Sequence, residues 1–385
     1  MSRLDELVSQ LCPNGVVFEK IKDVCDDVIV PMRDRPKVFD GSIPWCRIED
    51  IEGQYFNQSL SGLGVSEKVV KTMNLKIFPM GTVICSCSAS LGSYAINTQP
   101  LITNQTFIGL VCGNRIYNKF LLYYMETQTD YLKSQASTGT IPYISRKKFE
   151  DMLVPVPPLE VQREIVRVLD SFTLLTAELT AELTARKKQY EFYRDMLLKE
   201  NDRVSVKTVD ELCKVSAGGD APRETMSKEK TAKYSIPIIS NGIGENALYG
   251  YTNEATITEP AVTVAARGTI GYAEYRDYPY VPIIRLLSLV PKNAAELDTK
   301  YLYYCLQGKT YNVPTAGIPQ LTAPRVKQVQ IPIPELAIQK KIVRVLDKFE
   351  IICNDLSNGL PAEIEARRKQ YEYYRNKLLT FKELS

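Results

Sequence analysis

The amino-acid sequence predicts an α+β protein built as a tandem duplication, in which two similar α+β domains are separated by two long helices. A heptad pattern fills residues 155–198 and recurs near the end of the chain, where IVRVLD at Ile165–Asp170 is repeated at Ile342–Asp347. Each copy follows a longer stretch of short strand-like segments that ends in a helix-like segment. We expect the two helices to pair as an antiparallel coiled coil, which relates the halves by a pseudo-twofold axis.

Residues 1–153, which we call head 1, open with a short amphipathic segment and continue with strand-like runs separated by glycine and asparagine. The runs are Trp45–Ile48, Thr82–Cys85, Tyr94–Ile96 and Thr106–Val111, and one helix-like stretch follows at Lys119–Lys133. Strands followed by a helix predict an α+β domain. The polar, turn-rich residues 135–149 are expected at its surface.

Residues 154–200 predict the first long helix, the central helix. Pro157 and Pro158 exclude a helix before them. Heptad steps then predict a coiled-coil seam made of Ile165, Leu169, Phe172, Leu179, Leu183 and Tyr190. The same helix contains TAELTAEL at Thr176–Leu183, a four-residue unit of good helix formers written twice. Each unit adds about 6 Å and about 40° beyond a full turn, so the number of units sets the separation of the heads.

Residues 201–330, which we call head 2, repeat the landmarks of head 1 in the same order. Three pairs of segments resemble each other: FEKIKDVC (Phe18–Cys25) and VKTVDELC (Val206–Cys213), NKFLLYYM (Asn118–Met125) and TKYLYYCL (Thr299–Leu306), and STGTIPYI (137–144) and PTAGIPQL (314–321). Between these landmarks the halves hardly agree. One scaffold with divergent loops is typical of two binding surfaces of the same kind but different specificity. A duplication whose halves drifted without functional meaning is the alternative.

Residues 331–385 predict the second long helix, the distal helix. Its seam includes Ile342, Leu346, Phe349, Leu356 and Tyr371, but two steps of four residues fall together at SNGLPAEIEAR, which is a stutter. Asn358, Gly359 and Pro361 predict a break or sharp kink there, with Pro361 near the start of a new helix. The two helices are therefore not expected to be equally straight.

The composition excludes the commonest catalytic chemistries. The 385 residues include no histidine, so Ser-His and Cys-His nucleophile pairs, HExxH zinc sites and a histidine base are absent. Gly308–Thr310 lacks the upstream glycine of a phosphate loop, and Gly242 and Gly244 do not continue as GxGxxG. With a net charge of only +3, any nucleic-acid binding must come from local patches.

The sequence predicts a cytoplasmic protein with reduced thiols. The nine cysteines are scattered and form no CxxC pair. No apolar run approaches the length of a membrane span, and the amino end lacks a signal-peptide profile.

The chain resembles the specificity (S) subunit of type I restriction-modification systems. The resemblance rests on IPxPxLxxQxxIVxxLD at the head of both helices, with Val154 in place of the isoleucine in the first copy, on the TAEL units, and on GLPAEIEARRKQYEYYR in the distal helix. ITNQTF (Ile102–Phe107) and ARGTIG (Ala266–Gly271) are weaker marks of the same family.

The resemblance implies a non-catalytic DNA-binding subunit with two target-recognition domains, each recognising one half of a bipartite, asymmetric site on double-stranded DNA. It implies that the helices fix the spacer and dock two methyltransferase (M) subunits, through which motor-nuclease (R) subunits join. S-adenosylmethionine, ATP and magnesium would belong to those partners, and no membrane would be involved. Since DNA turns about 35° per base pair, one TAEL unit would change the spacer by one to two base pairs.

Base readout favours Arg, Asn, Gln, Ser and Thr on loops. The candidate DNA contacts are Arg47, Ser86, Ser88, Ser90, Thr138, Thr140 and Tyr143 in head 1 and Asn241, Arg267, Thr269, Thr315 and Gln320 in head 2. The same residue types are also standard in turns and on solvated surfaces. The basic clusters at 186–188 and 367–369 fit a solvated helix face better than a DNA contact.

Two other functions stay open at this level. A scaffold whose heads bind proteins would show little salt dependence, whereas phosphate contacts make affinity fall steeply with salt. A metal-dependent nuclease could draw on Asp26, Asp27, Glu49 and Asp50, although no carboxylate-lysine constellation recurs in both halves.

Overall fold

The computed structural model describes residues 3–137, 142–199, 204–313, 319–355 and 357–384. The chain divides into two compact units. Unit 1 comprises Met1–Glu178 and Ile364–Ser385, and unit 2 comprises Leu179–Glu363. Each unit therefore contains one head together with segments of both helical stretches.

Unit 1 begins with the strands and short helices of head 1. The strands are β1 (Phe18–Lys20), β2 (Cys25–Ile29), β3 (Ile43–Cys46), β4 (Ile51–Glu52), β5 (Tyr55–Phe56), β6 (Gly64–Val65), β7 (Val83–Ser86), β8 (Tyr94–Asn97), β9 (Ile102–Thr103), β10 (Phe107–Cys112) and β11 (Leu153–Pro155). The helices are α1 (Arg3–Leu11), α2 (Ile21–Val24), α3 (Glu67–Met73), α4 (Asn118–Thr127), α5 (Thr129–Gln135) and α6 (Arg146–Glu150).

The predicted strand regions of head 1 each overlap an observed strand, but the single helix predicted over Lys119–Lys133 is two helices, α4 and α5. They separate at Gln128, whose ψ of 4° leaves the helical range. The hydroxyl of Thr127 donates to the carbonyl of Tyr124 at 2.7 Å, and that of Thr129 donates to Glu126 at 2.8 Å. Such local side-chain bonds to the backbone compete with the continuing helix.

The main sheet of head 1 has the strand order β2-β10-β7-β8-β5-β4. Strand β10 pairs antiparallel with both β2 and β7, and β7 pairs antiparallel with β8. Alternate residues of β7 enter different cores: Val83 and Cys85 join the core that includes α4, and Ile84 joins the core on the other side. Side chains alternate between the faces of a strand, so a sheet covered on both sides has continuously apolar strands.

The central helix, α7 (Leu159–Leu197), is continuous and begins directly after Pro158. Head 2 follows it. The strands are β12 (Ser205–Thr208), β13 (Cys213–Ala217), β14 (Met226–Ser227), β15 (Ile236–Ile239), β16 (Leu248–Thr252), β17 (Ala261–Val264), β18 (Ala273–Arg276), β19 (Val281–Pro282), β20 (Leu287–Pro291) and β21 (Gln330–Ile333). The helices are α8 (Val209–Leu212), α9 (Thr299–Leu306) and α10 (Ala323–Lys327).

Each head contains a four-stranded sheet core of the same topology. The strand order β13-β20-β17-β18 of head 2 repeats the order β2-β10-β7-β8 of head 1, with antiparallel pairs at the same places. In each head a short parallel pair, β3 with β9 or β15 with β19, lies beside this core. The predicted duplication is therefore confirmed at the level of topology.

The distal helical stretch consists of α11 (Leu336–Asn354) and α12 (Leu360–Leu378), which confirms the predicted break. Gly359 stands where a Cβ atom would lie 2.4 Å from the carbonyl oxygen of Ile351, so the turn has no room for a side chain. Pro361 is the second residue of α12, a position at which proline costs no hydrogen bond. Among the helices of the described ranges, none combines the length and apolar character needed to cross a membrane.

Segments of the central and distal helices pack together inside each unit. In unit 1 the ring of Phe172 stacks on Tyr374 with the centroids 5.4 Å apart. In unit 2 the ring of Tyr193 lies 5.7 Å from Phe349. Burial raises the pKa of Cys353, and the positive charges of Lys187 and Arg186 oppose that rise. Because the later residue of α7 faces the earlier residue of α11, these two segments run antiparallel.

All predicted seam residues that the structure describes are buried or half-buried. Ile165, Leu169, Leu179, Tyr190, Ile342 and Leu346 are buried, Phe172, Leu183, Phe349 and Tyr371 are half-buried, and Leu356 lies outside the described residues. However, Ile165 and Leu169 belong to the core of head 1, and Ile342 and Leu346 belong to the core of head 2. The first turns of each helical stretch therefore pack against the head that precedes them.

A buried glutamine joins each head to the helix that follows. Gln162 accepts a hydrogen bond from the backbone N–H of Tyr117 at 2.7 Å and donates to the carbonyls of Arg115 and Pro157 at 2.9 and 2.7 Å. Gln339 makes the same set with Asp298, Glu296 and Pro334, at 2.9, 2.8 and 2.8 Å. Tyr117 and Asp298 are the residues before α4 and α9, so each glutamine fixes the long helix to the start of a head helix.

A second repeated contact lies two turns further along each helix. Asp170 accepts bonds from the ammonium of Lys119 and the hydroxyl of Tyr123, both at 2.6 Å. Asp347 accepts the same two bonds from Lys300 at 2.9 Å and Tyr304 at 2.5 Å. The final aspartate of IVRVLD thus orients the head in both copies.

Candidate nucleic-acid interface

The β7–β8 turn of head 1 and the β17–β18 turn of head 2 occupy equivalent places, and we name them hairpin loop 1 (87–93) and hairpin loop 2 (265–272). Each is braced by the last described residues of the repeated segments STGTIPYI and PTAGIPQL, namely Ile144 in head 1 and Leu321 in head 2. The N–H of Ile144 donates to the carbonyl of Cys87 at 2.8 Å, and that of Leu321 donates to Ala266 at 2.9 Å. Ile144 and Leu321 are both fully buried, so the braces anchor the loops to the cores.

Hairpin loop 2 brings together four of the predicted contacts in head 2. The side chain of Asn241 accepts from the N–H of Ala266 at 2.7 Å and donates to the carbonyl of Ile284 at 2.6 Å. The hydroxyl of Thr269 donates to the backbone carbonyl of Asn241 at 2.7 Å. Asn241 and Thr269 therefore shape the loop, and their side-chain bonds go to the backbone.

Arg267 and Gln320 form the exposed edge of this cluster. The Nε and Nη2 atoms of Arg267 donate to Oε1 of Gln320 at 3.3 and 2.9 Å. Both side chains are partly exposed. Among the described residues, Arg267 pairs with no carboxylate.

The end of β7 and hairpin loop 1 contain the three predicted serines of head 1, and Tyr143 lies beside them. Ser86 is buried, and its hydroxyl donates to the carbonyl of Ser88 at 3.0 Å, so it holds the backbone. Ser88 pairs with Tyr143 in a β-bridge, and both Ser90 and the ring of Tyr143 are exposed. Ser88, Ser90 and Tyr143 thus stand where Arg267, Thr269 and Gln320 stand in head 2.

Arg47 follows the end of β3 and is not part of hairpin loop 1. Its guanidinium bonds the carboxylate of Glu49 at 2.7 Å and lies 5.8 Å from the ring centre of Trp45. Its charge is therefore already paired. Thr138, Thr140 and Thr315 lie outside the described residues.

The structure adds a polar segment, Asn104–Thr106, that sequence reasoning did not include among the contacts. The N–H of Cys87 donates to the carbonyl of Thr106 at 2.8 Å, and the hydroxyl of Thr106 donates to Asn104 at 2.6 Å. ITNQTF thus borders hairpin loop 1, while ARGTIG forms most of hairpin loop 2. Both family-like segments, ITNQTF and ARGTIG, therefore lie at the hairpin that follows β7 or β17.

Two of the four carboxylates considered for a nuclease, Asp50 and Asp27, bond backbone N–H groups. Asp50 is buried and accepts from the backbone N–H groups of Arg47 and Leu60, both at 2.7 Å. Asp27 accepts from Val28. Two carboxylates that already satisfy backbone donors do not form an open metal site.

At least three of the six residues in the basic clusters of the helices pair with glutamates along the helix surface. Arg186 pairs with Glu182 at 3.3 Å, Arg368 with Glu372 at 3.3 Å, and Lys369 with Glu365 at 3.6 Å, each four residues apart. Such pairs are typical of solvated faces.

Comparison with known proteins gives consistent matches over both heads. Residues 13–186 and 201–366 match the family model described as the type I restriction modification DNA specificity domain. A putative type I specificity subunit of Mycoplasma pneumoniae is 36% identical over 289 residues, which cover 70% of this chain and 84% of that protein. The type I restriction enzyme EcoR124I/EcoR124II specificity subunit of Escherichia coli is 33% identical over 301 residues, 70% of this chain and 72% of that protein.

Solved structures agree in fold. A type I restriction-modification S subunit from M. genitalium superimposes with a TM-score of 0.56 at 14% identity, covering 94% of this chain and 96% of that one. The HsdS subunit of Thermoanaerobacter tengcongensis gives 0.52 at 16% identity, with 96% and 97% covered.

Proposed function

The chain belongs to the family of type I restriction-modification DNA specificity proteins, and from this premise we propose that heads 1 and 2 each recognise one half of a bipartite, asymmetric DNA site. The chain is the DNA-recognition component of its complex and is itself non-catalytic. Residues 1–153 and 201–330 serve as the two target-recognition domains, and residues 154–200 and 331–385 set the spacer between the half-sites.

This proposal rests on one observation: the same backbone hydrogen bond holds both hairpin loops, but the side chains around the two loops differ. The carbonyls of Cys87 and Ala266 are held in the same way at 2.8 and 2.9 Å. Yet the exposed side chains around them differ, with Ser88 and Tyr143 in head 1 and Arg267 and Gln320 in head 2. A constant support for variable polar side chains fits two readers of different base sequences.

Docking of the partner subunits belongs to the same proposal. The surface of α11 exposes Ile338, Val345 and Ile352 at 45, 42 and 39%, spaced seven residues apart and therefore on one face. The counterpart of Ile338 in α7 is Val161, which is fully buried in the cluster that includes Leu4 of α1. Arg3 of α1 lies 4.0 Å from Glu164 of α7, so α1 lies beside this part of α7 in unit 1. By analogy, a helix of a methyltransferase subunit is the occupant we propose for the exposed face in unit 2.

The proposal also assigns the cofactors and the compartment. S-adenosylmethionine, ATP and magnesium would be bound by two methyltransferase subunits and by motor-nuclease subunits that join through them. The complex would modify adenine at N6 and cleave unmodified DNA in the cytoplasm.

The proposal is tested by selecting duplexes from a randomised library with the full chain in complex with its methyltransferase subunit. We expect one motif of two fixed halves with a constant spacer, and an affinity that falls steeply as salt rises. Recovery of no bipartite motif, with binding that hardly depends on salt, would instead identify a protein-binding scaffold.

A further inference from the structure

We propose that Arg267 recognises a guanine in the half-site bound by head 2, and that Gln320 acts as its positioning residue. This inference rests on the proposed function, because it requires head 2 to bind DNA. It adds the identity of one base and the residue that reads it.

The geometry of the pair leaves one edge of the guanidinium available. Gln320 accepts from Nε and Nη2, which are the donors on the side edge of Arg267. Among the described residues, the end edge, with Nη1 and the second hydrogen of Nη2, meets no acceptor and keeps its two parallel donors. The major-groove edge of guanine presents two acceptors, O6 and N7, that match this end edge.

The charge of Arg267 favours the same ligand. In the described parts of the chain its partner is the neutral amide of Gln320, whereas Arg47 pairs with Glu49 and Arg276 pairs with Glu274 at 2.8 Å. A guanidinium that is oriented but not neutralised retains its full attraction for an acceptor in the negative potential of DNA.

Hairpin loop 2 holds Arg267 in place before DNA arrives. Asn241 and Leu321 bond the two backbone groups of Ala266, and the N–H of Gly271 donates to the carbonyl of Ala265 at 2.9 Å. Gly268 follows Arg267 with a φ of +68°, a conformation that suits glycine. A preformed loop loses less conformational entropy on binding, which increases affinity.

Head 1 carries no such pair at the equivalent place. Ser88 stands at the position of Arg267 and Tyr143 at that of Gln320. The arginine contact is therefore expected in one half-site alone.

The test compares base preferences at every position of the selected motif for the complex with wild-type chain and with Arg267→Ala. We expect the variant to lose about 10- to 100-fold discrimination at one G·C pair of one half-site, with the other half-site unchanged. Gln320→Ala should cause a smaller loss at the same base pair. Arg223→Ala removes an exposed arginine elsewhere on head 2 and serves as the control, with base preferences like those of wild type.

Arg267→Lys keeps the inference testable if the alanine variant folds poorly. Lysine preserves the charge but lacks the two-donor fork, so the salt dependence should persist while discrimination at the G·C pair is lost. Equal weakening on all sequences would show a phosphate contact and overturn the proposal, as would an unchanged motif. A wild-type complex that selects no bipartite motif would refute the proposed function itself.

Discussion

At the scale of single residues, the buried glutamines Gln162 and Gln339 explain why PxPxLxxQ spans the start of both helical stretches. Replacing Gln162 with leucine leaves the N–H of Tyr117 and the carbonyls of Arg115 and Pro157 without partners. We expect a loss of about 2 to 4 kcal/mol in the free energy of unfolding, because each buried unpaired group costs about 1 to 3 kcal/mol. Denaturant unfolding of the full chain measures it, with Arg163→Leu on the adjacent exposed position as the control. A loss below about 1 kcal/mol would show that these groups find other partners.

The environment of Glu126 predicts that the stability of unit 1 depends on pH. Its carboxylate accepts bonds from Gln54 at 3.1 Å and Tyr371 at 3.2 Å and lies 3.6 Å from Arg375. Burial raises its pKa above 4.5, although these partners favour the ionised form. The folded state thus holds a proton that the unfolded state releases, so this group lowers stability as pH rises above 4.5.

The equivalent residue in head 2 is Gln307, which does not ionise. Glu126→Gln should therefore remove this pH-dependent contribution, seen as a difference between variant and wild type across pH 4.5 to 7.5 in chemical unfolding. Glu52→Gln, at an exposed carboxylate of the same head, is the control. If the wild type and Glu126→Gln respond to pH in parallel, the assignment is wrong.

The individual contacts were the part of the site that the sequence could predict least. Arg267, Thr269 and Gln320 were selected as loop residues, and the structure brings them together, but the bond between Arg267 and Gln320 depends on a brace between segments about fifty residues apart. Arg47 fits the same residue rule, yet Glu49 pairs with it. Residue type predicts which side chains can contact a base, whereas only the fold determines which of them remain available.

At the scale of elements, the continuous α7 gives the TAEL units a physical role. They lie inside an unbroken helix of 39 residues, so removal of Thr180–Leu183 shortens it by about 6 Å without creating an end. We expect a preferred spacer shorter by one to two base pairs and unchanged half-sites, measured by duplex selection with the assembled complex. Thr180→Ala keeps the length and should keep the spacer. Altered half-sites with a constant spacer would contradict the proposed role of the TAEL units in setting the spacer length.

The exposed face of α11 carries its own prediction. Val345→Glu places a charge in the middle of the apolar stripe, so the complex should bind one methyltransferase subunit fewer or bind it about tenfold more weakly. Native mass spectrometry counts the subunits. Val206→Glu, which alters an exposed apolar residue of head 2, is the control. A wild-type stoichiometry for Val345→Glu would exclude this face as the docking surface.

The types and boundaries of the helices could be predicted from the sequence better than the surfaces against which the helices pack. Pro158 predicts the start of α7, and Asn358, Gly359 and Pro361 predict the break between α11 and α12, because proline and glycine act locally. The heptad pattern could not show that Ile165 and Ile342 pack into heads, since the same apolar face serves a head core as well as a helix partner.

At the scale of the whole molecule, the chain end belongs to the unit that contains the chain start. Residues Ile364–Ser385 are part of unit 1. Leu379 is buried in its core, the ring of Phe381 lies 6.3 Å from Phe120, and the N–H of Val16 donates to the carbonyl of Lys382 at 2.8 Å. Head 1 is therefore completed by a segment that comes from a distant part of the sequence.

Deletion of Ile364–Ser385 tests this closure. We expect it to destabilise head 1, 200 residues or more away in sequence, because α4 loses Tyr371 and Phe381 as packing partners, while head 2 keeps its protection. Hydrogen exchange measured by peptide mass spectrometry separates the two heads. Leu379→Ala is the milder variant, with an expected cost of about 2 to 4 kcal/mol for unit 1. If α4 keeps its protection after the deletion, head 1 folds without the distal helix. If exchange rises in head 2 instead, the segment stabilises unit 2 and its assignment to unit 1 is wrong.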